Sequence, residues 1–126
     1  MIILDTDVLV EIFDRTSTKG EEILQRLLKT GEDITTTAIN LHEILCSMQK
    51  FAAPVKETLL LPVLDYTKKD AALSSKLEQE GERTGTSVRR VDAMMAAIAM
   101  NNGAALYTLD PKHYNGFKSL GLKFFM

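Results

Sequence analysis

The sequence is short of the residues that most readily declare a chemistry. Cysteine occurs once among 126 residues, at Cys46, so no internal disulfide can form and a reducing cytoplasm suits it. Histidine occurs twice, at His42 and His113, and H-E-x-x-H and C-x-x-C spacings are missing. That argues against a zinc site. Charge of one sign is not in excess: 15 Lys and Arg stand against 17 Asp and Glu, a net charge of -2. A bulk electrostatic binder of DNA or membrane is thereby excluded, and any nucleic-acid contact has to use a local patch. Long hydrophobic runs are missing too. The apolar N-terminal stretch is too short, and lacks the basic flank, for a signal peptide or a membrane span. Low-complexity tracts, linkers and repeats are not visible. The expectation is a cytoplasmic chain forming one domain over residues 1–126.

What is present is an alternation of short apolar runs with helical patterns. Met1 to Asp5, "DITTT", "VLDY", "AALYT" and "LKFF" read as five strands. Between them the spacing predicts a helix from Asp7 to about Asp14. A second, with Ile23, Leu24, Leu27 and Leu28 on one stripe, stops at Gly31. A third runs from Ala38 to about Lys50, capped by Thr36 or Thr37, and Pro54 and Pro62 bracket a short helix "VKETLLL". The polar-faced "KKDAALSSKLEQEGER" ends near Gly85, and "DAMMAAIAMNNG" ends at Gly103. Strands separated by helices imply an α/β fold with a mainly parallel sheet, whose sites collect at the carboxyl ends of the strands.

Carboxylates stand where they are costly. "IILDTDVLVEIF" runs a core-like strand straight into Asp5 and Asp7. A buried carboxylate needs a partner, water or a metal. Asp110 follows the fourth strand in "ALYTLD", at the same rim as Asp5 by the strand-end rule. Either could simply start a turn or cap a helix. Asp92 is the one charged residue between Val91 and Met100, at the head of a helix apolar on all sides. Capping explains it, and capping is compatible with catalysis. Glu43 lies roughly opposite a stripe of Leu41, Leu45 and Met48, yet Ile39 and Cys46 flank it at helical spacing. The helical wheel leaves it undecided.

These stretches, "IILDTDVLVEIF", "TTTAINLHEIL" and "VDAMMAAIAMNNGAALYTLDPKHY", resemble the motifs of PIN-domain nucleases, in order and in spacing. The likeness is strongest to the VapC-type toxins of prokaryotic toxin–antitoxin pairs and spans Ile2 to about Phe125. By position, Asp5, Glu43, Asp92 and Asp110 match the family's four acids. Thr6 and Thr108 match supporting threonines, and Asp7 stands where members often carry Asn or Ser. The resemblance implies a three-layer α/β/α fold and Mg²⁺ or Mn²⁺ held by Asp5, Asp92 and Asp110. It also implies endoribonuclease activity on RNA, a homodimer, and an antitoxin that blocks the site. Phosphodiester hydrolysis fits the acids, because a carboxylate-held Mg²⁺ both neutralises charge and activates water. Arg89 and Arg90, just before Asp92, are either a solvated pair or a grip on RNA phosphate. His113 either packs in its turn or lines the rim.

Two other readings compete. "IILDTDVLV" also resembles the first motif of haloacid-dehalogenase phosphatases, with Asp5 as nucleophile and Asp7 as general acid. The later acidic pair that such an enzyme needs is not seen. A PIN-fold binding module without catalysis is the other, and intact acids at all four positions argue against it. Met48, Phe51, Leu59, Leu60 and Leu61 form an apolar cluster expected to meet a second copy or the antitoxin.

Overall fold

A computed structural model describes residues 1–14, 16–50 and 60–126, with the side chains of 48–50 left aside. The chain runs β1 (Ile2–Leu4), α1 (Thr6–Phe13), α2 (Thr18–Thr30), β2 (Ile34–Thr37), α3 (Ala38–Lys50) and β3 (Val63–Leu64). Then follow α4 (Lys68–Arg83), α5 (Arg90–Asn101), β4 (Ala105–Tyr107), a 3₁₀ turn (Pro111–Tyr114), α6 (Asn115–Lys118) and β5 (Lys123–Phe124).

The five strands form one parallel sheet in the order β3-β2-β1-β4-β5. Strand β1 lies in the middle, with Ile2 opposite Ile34 on one side and Ala105 on the other. The connection reverses direction between β1 and β4. A crevice at the carboxyl end of such a switch point is where open α/β sheets bind ligands.

The central strands β1 and β4 are covered on both faces, which is why their sequences are continuously apolar rather than alternating, whereas the edge strands β3 and β5 are only partly buried. Ile3 and Leu106 point into one core with α4, α5 and the buried aromatics Tyr114 and Phe117. Ile2, Leu4 and Tyr107 point into the other with Val8, Leu9, Ile23, Leu27 and Ile44 of α1, α2 and α3. Three layers result, as the resemblance implies.

Several sequence expectations are sharpened. Gly31 takes the left-handed conformation after α2, with φ of 69°, as its stop position requires. Thr37, rather than Thr36, caps α3: its hydroxyl accepts from the Asn40 amide at 3.1 Å. Thr36 instead donates to the Leu4 carbonyl at 2.8 Å, tying β2 to β1. In α2 only Ile23 and Leu27 of the expected stripe are buried, because α1 covers a narrow face; Leu24 and Leu28 are exposed. Among the described side chains of α3 the buried ones are Asn40 and Ile44, one turn apart, and Leu41 and Leu45 are only partly covered.

Asp92 does not cap α5. Arg89 holds that position without a side-chain capping bond, and Asp92 lies inside the first turn. The 3₁₀ turn and α6 were not anticipated; they exist because Tyr114 and Phe117 anchor them in the core. Of the short helix expected across 55–61, residues 55–59 lie outside the described residues, as does Phe51, while Leu60 and Leu61 form a turn and a bend rather than helix. Of the apolar cluster there, Leu60 is 83% exposed and Leu61 packs against the α1–α3 core. Among the described residues, no helix is long and apolar enough to cross a membrane.

Candidate active site

Asp5 continues β1 by one more ladder bond, its amide donating to the Tyr107 carbonyl at 2.9 Å. Its side chain then turns over the start of α1. Asp5 is 8% exposed, and its carboxylate is satisfied by donors from four segments. Oδ1 accepts from the Thr6 amide at 2.8 Å and from Asn40 Nδ2 at 3.1 Å. Oδ2 accepts from the Thr108 hydroxyl at 2.8 Å and the Tyr114 hydroxyl at 3.2 Å. A carboxylate offers about four lone-pair positions, so Asp5 is fully coordinated by hydrogen bonds.

The second acid reaches Asp5 through a relay. The Thr6 hydroxyl donates to Glu43 Oε1 at 2.7 Å and accepts from Asn40 Nδ2 at 3.1 Å. Asn40 is completely buried, and its own carbonyl oxygen accepts from Thr37 at 2.7 Å. Glu43 itself is exposed at the rim.

Thr108 ties Asp5 to the loop after β4. Its hydroxyl also approaches Asp7 Oδ2 at 3.3 Å and accepts from the Asp110 amide at 3.2 Å. Asp7 Oδ2 accepts further from the Leu109 amide at 3.1 Å, while Asp7 Oδ1 is buried without a partner. Burial, and next the charge of Asp5, push the Asp7 carboxyl above its ordinary pKa, although the Leu109 and Thr108 donors pull the other way.

Asp92 is 1% exposed, and both its oxygens are taken by one guanidinium. Arg89 donates through Nε at 2.8 Å and Nη2 at 2.9 Å. Arg89 Nη2 also lies 3.1 Å from His113 Nδ1, and His113 Nε2 lies 3.3 Å from Asp110 Oδ2. Nδ1 facing an arginine donor acts as acceptor, which places the imidazole proton on Nε2, toward Asp110. A chain thus runs Asp92–Arg89–His113–Asp110 beside the relay around Asp5. Tyr114 joins the two halves: burial first, then the carboxylates of Asp5 and Asp92, hold its phenol far above the usual range. Arg90 points elsewhere, donating to both oxygens of Glu78 at 3.0 and 3.2 Å.

Asn40 is a site residue that the sequence reading missed. Asn40 stands one helical turn before Glu43, on the same face, and that spacing was the available signal. Tyr114, in the stretch after Asp110 that either packs in its turn or lines the rim, does both: it is buried and donates to Asp5.

The donor set fits a hard divalent cation in kind. It is made of carboxylates, and one carboxylate oxygen, Asp7 Oδ1, is buried without any proton donor. Asp5 and Asp92, by contrast, have both oxygens engaged by donors of the chain. Among the described residues, no three Asp, Glu, His or Cys side chains are spaced to hold a metal ion.

A parallel sheet with a carboxylate rim at its switch point, assembled from motifs after β1, in α3, at the head of α5 and after β4, defines a class. The profile of the PIN domain family matches residues 2–117, and the chain belongs to that family. The fold is shared with solved structures. A DNA-bound VapBC complex from Salmonella typhimurium is similar with a TM-score of 0.80 and 26% identity, over 98% of this chain and 96% of that one. FitAcB from Neisseria gonorrhoeae gives 0.78 and 20%, over 100% and 97%. Mycobacterium tuberculosis VapC20, described as a sarcin-ricin loop cleaving toxin, gives 0.63 and 16%, over 97% and 96%. Comparison with curated proteins gave no match. The likeness to VapC-type members, read from the motifs, is borne out by this company.

Proposed function

We propose that the chain, a single nuclease domain over residues 1–126, is a metal-dependent endoribonuclease and the toxin of a toxin–antitoxin pair. The observation that carries this reading is Asp5. A buried carboxylate at the switch point draws donors from α1, α3, the loop after β4 and the 3₁₀ turn, so the family motifs meet on one group. The solved relatives that are toxin–antitoxin complexes support an antitoxin partner.

Asp5, Asp92 and Asp110 would hold Mg²⁺ or Mn²⁺, with Asp5 and Asp92 each giving up donors that now satisfy them. Bound there, the cation supplies charge neutralisation at the scissile phosphate and lowers the pKa of an attacking water. The chain's own residues do the positioning. Asn40 and Thr6 fix Glu43 relative to Asp5, so that an exposed carboxylate is presented at the rim to receive a proton. Asp7 and Thr108 brace the loop bearing Asp110. Arg89 and His113 lie at the same rim, suited to contact an RNA phosphate, as a planar guanidinium does well. Arg90, turned onto Glu78, is the weaker candidate for that contact. The protein in this reading is cytoplasmic and forms a homodimer.

The test is an RNA cleavage assay in Mn²⁺ on the parent and on Asp5→Asn, beside a phosphomonoester assay. RNA cleavage lost in Asp5→Asn is the expected result. Phosphomonoester turnover without RNA cleavage would point to the phosphatase chemistry, and binding of RNA without any turnover to an inactive module.

A further inference from the structure

Arg89 sits badly for the helix it precedes. It occupies the N-cap of α5 with extended backbone, φ -75° and ψ 135°, and makes no capping bond. Ser, Thr, Asp and Asn are the residues that satisfy free helical amides there, and a cation at that end opposes the helix dipole. Its guanidinium is used on Asp92 instead. The two partners differ in freedom: the Asp92 side chain is 2% exposed and the Arg89 side chain 66%. Asp92 is therefore fixed among packed neighbours, whereas Arg89 can swing into water with little loss of packing.

We infer that Arg89 is a built-in counter-ion that competes with the divalent cation for Asp92. This rests on the metal-dependent reading above. With one Arg89 bond on each Asp92 oxygen, at 2.8 and 2.9 Å, the guanidinium closes the carboxylate to two-oxygen chelation of a metal and sets a fixed positive charge against an approaching cation until it leaves. The same departure breaks the contact with His113 Nδ1 and so loosens the His113–Asp110 pair. One side-chain movement thereby frees the third acid and removes a contact from the imidazole that faces the fourth. Arg89 also keeps the metal-free rim from carrying unrelieved repulsion between its acids. It is a positioning residue: it sets metal affinity below what the acids alone would give.

Calorimetric titration of the full-length chain with Mn²⁺ tests this without reference to cleavage. Arg89→Gln should tighten Mn²⁺ binding by about fivefold, the worth of a largely exposed ion pair. Arg90→Gln removes the same charge one residue away, from a pair with Glu78, and should leave the affinity unchanged. Arg89→Lys keeps the charge but loses the fork, and should fall between parent and Arg89→Gln; it serves alone if Arg89→Gln fails to fold by circular dichroism. Equal tightening in the Arg89 and Arg90 variants would reduce the effect to net charge and overturn the inference. So would unchanged or weakened Mn²⁺ binding in Arg89→Gln. If the parent and every variant fail to bind millimolar Mn²⁺, the metal reading itself falls.

Discussion

The Thr108 hydroxyl donates to Asp5 Oδ2 at 2.8 Å, joining two residues 103 positions apart, and accepts from the Asp110 amide at 3.2 Å. One oxygen therefore sets the first acid and the loop of the fourth in register across the β1–β4 junction. Thr108→Val keeps the shape and removes both bonds. It leaves Asp5 Oδ2 with Tyr114 as its one remaining donor, and frees the exposed Asp110 amide. The variant should unfold about 1.5–3 kcal/mol more easily in urea, the worth of a hydrogen bond to a charged group. RNA cleavage should fall by about tenfold or more, because the acids lose their relative placement. Parent-like cleavage in a destabilised Thr108→Val would show that the loop is held by other contacts.

Asp7 is the strained member of the rim. Its Oδ1 is buried without a partner, and burial together with the neighbouring Asp5 raises its pKa. A carboxyl whose folded pKa is raised binds its proton more tightly in the folded state. Folding is then penalised as pH rises from the ordinary carboxylate value through the raised one. Asp7→Asn removes that penalty, since its oxygen can still accept from Leu109 while its amide faces the empty side. The variant should melt at or above the parent at pH 7, and the advantage should vanish near pH 3.5. It should retain much of the RNA cleavage, unlike Asp5→Asn. A lower melting temperature at pH 7 would mean that the Asp7 charge is compensated by something it gains in the folded state.

How much of this was legible beforehand follows from where the polar groups sit. The central strands were readable because parallel strands buried on both faces are continuously apolar, β2 was readable from its β-branched residues, and Asp5 was readable as a charge set against an apolar strand. Asn40 was not, because a helical wheel counts an amide as solvent-facing. Only the partners brought by β1, β2 and α5 make its burial tolerable. The pairing of Arg89 with Asp92 was hidden for a related reason. An acid at the head of a helix is so favourable as a cap that its engagement by the preceding arginine has no separate signature in sequence. The 3₁₀ turn was missed because Tyr114 and Phe117 make it by tertiary burial, not by local preference.

Gly20 fixes how closely α1 and α2 approach. A Cβ there would lie 2.0 Å from the Glu11 carbonyl oxygen, which is backbone and cannot rotate away. Alanine is better than glycine in a helix by about 1 kcal/mol, so propensity alone favours Gly20→Ala. Forcing two packed helices apart costs about 1–3 kcal/mol or more, and contact with backbone puts this case at the upper end. Gly20→Ala should therefore lower the melting temperature. Because α1 carries Thr6 and Asp7, it should also weaken cleavage. An increase in melting temperature would show that the α1–α2 spacing yields easily.

The acids should make stability depend on divalent metal. A ligand that binds only the folded chain stabilises it by mass action, about 2.7 kcal/mol at a hundredfold excess over Kd. For a domain of this size that corresponds to a rise on the order of 10 °C. The parent should show such a rise in Mn²⁺ or Mg²⁺ and lose it on adding chelator. Asp5→Asn should lose the response. It should also be less stable without metal, since the new amide would face donors from Thr108 and Tyr114 that now point at oxygen. Asp92→Asn should lose the response too, at a smaller cost without metal, because its partner Arg89 is largely exposed and can rehydrate. These two losses separate a bound cation from a general salt effect. Divalent ions acting by screening alone would shift the parent and both variants alike, and that result would remove Asp5 and Asp92 from the ligand set.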